Sequence, residues 1–164
     1  MASKPLSVRI LERRNVPHEV FTFDTAIRSA DEVARVTGMP FEAVYKTLVL
    51  EADPPTGKPW LFMVPSDSEV DLKALAAEVG IKKLRMASHS DAERHTGLQV
   101  GGISALALLG KGFPVLIDGR ASELEQILVS AGARGMDVRL AVDDLVALTG
   151  ARAVAGCTKL IACG

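Results

Sequence analysis

Apolar residues recur at helical spacing at the start of the chain, where Leu6, Ile10 and Leu11 share one side and Arg9, Glu12, Arg13 and Arg14 supply the other. That pattern predicts a helix stopping near Asn15-Val16-Pro17. His18 to Phe23 then alternates and is rich in β-formers, which predicts a first strand. Ser29 stands three residues before Glu32, the spacing of a capping box, and opens a helix closed by Gly38. Phe41 to Val44 adds one further helical turn after Pro40. Tyr45 to Ala52 reads as a strand, Asp53-Pro54-Pro55-Thr56-Gly57 as a turn, and Trp60 to Val64 as the strand returning beside it. Asp71 to Val79 predicts a short helix ended by Gly80, Lys82 to Ala87 a strand, and Ser88 the start of a helix ending around Gly97. Pro114 to Asp118, Glu125 to Val129 and Met136 to Leu140 read as strands, and Val142 to Leu148 as the closing helix. From Gly150 onward periodicity is weak, and the tail is expected to fray.

Strands and helices alternate, but the pair around Gly57 is a hairpin, which rules against a purely parallel doubly wound sheet. The expected fold class is α+β, a single domain over 1–164 with a mixed, largely antiparallel sheet flanked by short helices. With 48% hydrophobic and 24% charged residues the chain reads as globular rather than disordered. No apolar run approaches the ~18 residues that span a bilayer, and no secretory signal opens the chain, so the expected location is the cytoplasm with no membrane partner. A net charge of −1 offers no global attraction for a long nucleic-acid surface. Any RNA would be recognised at one end or delivered by a partner.

Among residues that carry chemistry, Lys46 is the first. Alternation puts Tyr45, Thr47 and Val49 on one face of its strand and Lys46, Leu48 and Leu50 on the other. A lysine beside two leucines is either a stem snorkelling over the core edge or an ammonium fixed in a cleft against a phosphate or ribose oxygen. Gly101-Gly102 is either a plain turn or a loop whose bare N–H groups polarise a carbonyl. Asp137, after the glycine-rich Ser130 to Gly135, is either a solvated turn residue or a pocket carboxylate. Asp67, Glu69 and Asp71 read as acidic complements to a helix N-terminus. Lys82, Lys83 and Arg85 read as a basic strand edge, with contact to RNA as the alternative. His18, His89 and His95 lack metal-ligand spacing, and Cys157 and Cys163 fit neither a zinc ribbon nor a redox pair. There is no G-x-S-x-G, so Ser104 is not an elbow nucleophile.

Val44-Tyr45-Lys46-Thr47-Leu48, Val100-Gly101-Gly102-Ile103-Ser104, Ser130-Ala131-Gly132 and Gly135-Met136-Asp137 resemble, in this order, motifs of the YbaK/EbsC family of aminoacyl-tRNA deacylases. That family is related to the editing domain of prolyl-tRNA synthetase, and the resemblance spans about residues 5 to 148. It implies a YbaK-like fold and hydrolysis of the ester between a wrong amino acid and tRNA. It implies catalytic roles for Lys46, Gly101 and Gly102, with Lys46 anchoring the 3′-terminal nucleotide and the glycine pair stabilising the oxyanion. Substrate-binding roles fall on Phe23, Ser29, Tyr45, Thr47, Ile103, Ser104, Ser130, Gly132 and Asp137, the last toward the substrate's α-amino group. The implied substrate is Cys-tRNA(Pro), with Ala-tRNA(Pro) or a non-catalytic aminoacyl-tRNA or nucleotide-binding module as alternatives. The implied partners are the tRNA 3′ end and prolyl-tRNA synthetase, with no metal and no organic cofactor. The chain departs from the family pattern at Ala105, where proline is common, at Phe23, where the prototype has tyrosine, and at Ser29, where it has an aromatic residue.

Overall fold

The computed structural model describes residues 4–27 and 29–161. The first helix, α1 (Leu6–Arg13), ends as expected, and Asn15 turns the chain with a left-handed φ of 56°. Strand β1 (His18–Thr22) leads through a loop to α2 (Ala30–Thr37), whose N-cap Ser29 accepts from the Glu32 N–H at 3.3 Å. A 3₁₀ turn at Phe41–Ala43 delivers the chain into β2 (Tyr45–Ala52), which pairs antiparallel with β3 (Trp60–Pro65).

Next come β4 (Ser68–Val70) and α3 (Leu72–Val79), the helix capped by the Asp71 carboxylate and closed by left-handed Gly80. Then follow β5 (Leu84–Met86) and α4 (His89–Thr96), the latter capped by Ser88 and closed by Gly97. After the glycine loop come β6 (Val115–Asp118), β7 (Gln126–Ala133), β8 (Met136–Ala141) and α5 (Val142–Thr149). Strands β9 (Arg152–Val154) and β10 (Thr158–Leu160) finish the described chain. Among the described residues no helix is long and apolar enough to cross a membrane.

The fold is α+β and its pairing is mixed. A five-stranded sheet runs β5-β2-β3-β6-β9, antiparallel across β5, β2 and β3 and parallel across β3, β6 and β9. An antiparallel sheet runs β1-β8-β7, and β10 pairs with β4. A parallel bridge from Val44 to Leu128 joins the start of β2 to β7. The largest apolar cluster lies between the two larger sheets and includes Tyr45, Val49, Met63, Ile127 and Leu140. Leu50 and Phe62 point the other way, onto α3. The two faces of β2 therefore serve two cores, as strict alternation requires.

Three expectations need correction. The tail does not fray: β9 lies parallel to β6 with Val154 2% exposed, β10 pairs with β4, and Cys157 is buried. Strands of three residues are too short to show periodicity, and their pairing partners are distant in sequence. Strand β4 was hidden in a polar run, where Ser68 is fully buried and only Asp71 caps a helix. Strand β7 continues past Val129 to Ala133, with a register shift between Ser130 and Ala133 at left-handed Gly132. A glycine-containing run that reads as a turn is a bulge inside the sheet. Cys163 lies outside the described residues.

Candidate active site

A cleft of about 320 Å³ opens where the start of β2 meets the β1-β8-β7 sheet. Its floor is Val44 to Thr47, four consecutive residues, so it runs along the start of the strand rather than over one face. Ser66 closes this side, and both its N–H (2.9 Å) and its hydroxyl (2.6 Å) donate to the Val44 carbonyl oxygen, pinning the segment that carries Lys46. Ser130 on β7 and Asp137 on β8, which are register partners, also line it, together with the apolar Phe23, Ile27 and Val33. Val100, Gly101 and Ile103 of the glycine loop form the remaining side.

Lys46 is half-buried. Burial pulls its ammonium below the ordinary lysine value, and the negative charges of Asp67 and Glu69 partly oppose that shift. Burial raises the Asp137 carboxyl to about 6. Burial also pushes the Tyr45 phenol up, with the Asp118 charge adding to the effect. Tyr45 therefore stays protonated at neutral pH and is no general base. Its hydroxyl is buried without a hydrogen-bond partner among the described residues.

Eight of the twelve sequence candidates meet in the cleft: Phe23, Tyr45, Lys46, Thr47, Gly101, Ile103, Ser130 and Asp137. Four stand elsewhere. Ser29 is an exposed helix cap. Ser104 is 1% exposed, beneath the loop, where its hydroxyl accepts from the Ala107 N–H at 3.2 Å. Gly132 forms the β7 bulge, where a Cβ would lie 2.7 Å from the Ala107 side chain. Gly102 donates its N–H to the Gln99 carbonyl oxygen at 2.8 Å, so that group is engaged within the loop. A Cβ at Gly102 would sit 2.9 Å from the Ala133 and Arg134 backbone, so it is glycine because two backbones touch there.

The cleft adds Ile27, Val33, Val44, Ser66 and Val100 to the list. Val44 and Val100 flank the lysine and the glycines in sequence, which is a usable signal. Nothing in the sequence marks Ile27, Val33 or Ser66. The basic group is largely neutralised: Lys83 pairs with Asp53 (3.3 Å), and Arg85 pairs with Glu51 (2.9 Å) and Asp53 (3.6 Å). His95 lies 3.4 Å from the same buried Glu51. Among the described residues no group of three or more His, Cys, Asp or Glu is placed to hold a metal ion.

The profile of the aminoacyl-tRNA editing domain matches residues 24–148 of this chain, most of its length. The chain belongs to the YbaK/EbsC family of editing-domain deacylases. It is 35% identical over 148 residues to a provisionally named Cys-tRNA(Pro)/Cys-tRNA(Cys) deacylase, EbsC, of Enterococcus faecalis (strain ATCC 700802 / V583), covering 89% of this chain and 88% of that protein. It is also 27% identical over 126 residues to a proline–tRNA ligase of Shouchella clausii (strain KSM-K16), covering 77% of this chain but only 20% of the ligase. The fold matches a crystal structure described as a proposed trans-editing enzyme for prolyl-tRNA synthetase, with TM-score 0.78, 24% identity, and coverage of 94% of this chain and 98% of that one. The family profile and the E. faecalis relative thus place the chain among hydrolases that edit aminoacyl-tRNA, and the solved structure shares its fold.

Proposed function

We propose that this chain hydrolyses the ester of mischarged tRNA(Pro), with Cys-tRNA(Pro) as its preferred substrate. The observation that carries the reading is that one cleft is lined by the Lys46 ammonium, the Asp137 carboxyl and the glycine loop at Gly101 together. A 3′-aminoacyl adenosine carries matching groups: phosphate and ribose oxygens for Lys46, an ester carbonyl for the loop at Gly101, and an α-ammonium for Asp137. Such editing answers a physical limit. A synthetase pocket rejects a similar or smaller side chain by only ~1–3 kcal/mol per methylene, so a second site must remove the error.

Among the described residues no histidine or cysteine lines the cleft, and the Ser66 hydroxyl is engaged with the Val44 carbonyl oxygen. With no activated side-chain nucleophile, attack falls to water or to the substrate itself. A cysteine thiolate can attack its own carbonyl carbon. The C–S bond forms as the C–O bond to tRNA breaks, the ribose oxygen leaves and takes up a proton, and the four-membered thiolactone is opened by water to free cysteine. The names of the E. faecalis relative and of the S. clausii ligase support the cysteine and proline assignments.

The test is initial rates on Cys-, Ser- and Ala-tRNA(Pro) side by side. Cysteine and serine are nearly isosteric, but sulfur is far the better nucleophile at neutral pH, so cysteine should clear more than about tenfold faster. Equal rates for cysteine and serine would remove the thiol route. A clear preference for alanine would make this an Ala-tRNA(Pro) deacylase, and no turnover would leave an aminoacyl-tRNA or nucleotide-binding module.

A further inference from the structure

Val100, at the head of the glycine loop, is held at both ends of its backbone by charged side chains from two different elements. The Glu93 carboxylate on α4 accepts its N–H at 2.9 Å, and Arg134 Nε in the β7–β8 turn donates to its carbonyl oxygen at 2.8 Å. The two contacts bridge 7 and 34 residues of chain. Charge-assisted hydrogen bonds are about twice as strong as neutral ones, and here negative charge meets the N–H and positive charge the C=O. Neither Glu93 nor Arg134 joins a salt bridge among the described residues, so both are free to serve this one residue.

The loop needs such restraint. Gly101 has a left-handed φ of 95°, and two adjacent glycines carry no side chain to pack the backbone down. Gly102 lies flat against the same Ala133–Arg134 backbone that carries the arginine. That turn also holds the apolar part of the lining, because Phe23 donates its N–H to the Gly135 carbonyl oxygen at 2.9 Å. The β7–β8 turn is thus a keystone between the glycine loop and the apolar lining of the cleft.

We propose that Glu93 and Arg134 are positioning residues that clamp Val100 and hold the glycine loop in the shape that receives the ester carbonyl. The assignment of the loop to the carbonyl rests on the function proposed above, whereas the clamp itself does not. The experiment measures deacylation kinetics and amide hydrogen exchange across residues 98–104 for wild type, Glu93→Ala, Glu93→Gln, Arg134→Ala and Arg134→Lys.

Losing a charge-assisted contact predicts a kcat lower by about 10- to 100-fold for either alanine variant, with KM changed less than about threefold. Loop exchange should rise about tenfold or more in both, with β2 and β3 unchanged. Glu93→Gln retains an acceptor oxygen and should recover most of the activity, and Arg134→Lys part of it. Combining the two alanine changes should add little, because both release the same residue. Unchanged kcat in both alanine variants, or a loss of kcat with no rise in loop exchange, would overturn the proposal. If wild type clears no mischarged tRNA, the function reading fails instead, and loop exchange alone then decides whether the clamp exists.

Discussion

Asp137 is the residue whose chemistry is most exposed to test. Burial raises its carboxyl to about 6, against about 4 for an ordinary aspartate. If its ionised form receives the substrate's α-ammonium, enzyme-dependent kcat/KM rises with pH through about 6. Asp137→Asn should flatten that limb, and a wild-type profile with no inflection near there would remove the role. The linkage to stability has the opposite sense. The native state holds this proton to higher pH than the unfolded chain does, so its contribution to stability is full at low pH and is lost as pH rises through the raised value. Asp137→Asn should therefore melt higher than wild type at pH 7 while binding substrate worse. At Gly102 the argument is steric: an added Cβ meets backbone at 2.9 Å, so Gly102→Ala should lower stability by about 1–3 kcal/mol and slow turnover. An alanine variant with wild-type melting and rate would show that the loop yields easily. Lys46 stood out in the sequence because a charge broke an apolar alternation, and the family motif around it is what pointed to the site. Ser130 came with Asp137 through the family motifs, whereas Phe21, its other register partner, did not, because it reaches Asp137 only through strand pairing.

Elements of eight or more residues with caps were legible, down to Ser29 as an N-cap, Ser88 as a helix start and Gly38, Gly80 and Gly97 as closing residues, although Asp71 read only as one acid of a cluster. What escaped was the strap formed by β4, β9 and β10, whose pairing is entirely long-range. Buried Asp118 holds it, accepting from Arg120 at 2.9 Å and from the Thr158 hydroxyl at 2.8 Å, while Arg120 also reaches the buried Ser68 hydroxyl at 2.6 Å. Ser68 in turn donates to Asp67, one of the two acids that bear on Lys46. The strap thus fastens the end of the chain behind the lysine wall. Asp118→Ala leaves the Arg120 backbone N–H, its guanidinium and the Thr158 hydroxyl without their acceptor and should destabilise by about 2–3 kcal/mol, on the order of 5–10 °C in Tm. An unshifted thermal midpoint would mean that β10 is held by its apolar contacts alone.

For the molecule as a whole, charge decides how RNA arrives. The net charge of −1, with Lys83 and Arg85 already paired to Asp53 and Glu51, leaves little to grip a long phosphate backbone. Free tRNA should therefore bind more weakly than about micromolar at physiological salt, weaken further as salt rises, and bind better when prolyl-tRNA synthetase is present. Titration with and without the synthetase checks this, and nanomolar binding to tRNA alone would contradict it. The hairpin within an otherwise alternating chain conveyed the overall α+β class, but not its division into separate sheets. The cleft sits at the seam of two of those sheets, which no local pattern announces. The most direct measurement is the hydrolysis rate of Cys-tRNA(Pro) by wild type and by a Lys46→Ala variant whose circular dichroism and melting match wild type. The account predicts prompt clearance by wild type, with Pro-tRNA(Pro) spared, and a rate at least about ten- to a hundredfold lower for Lys46→Ala. Wild-type clearance by the folded Lys46→Ala protein, or an intact Cys-tRNA(Pro) pool in the presence of wild type, would contradict it.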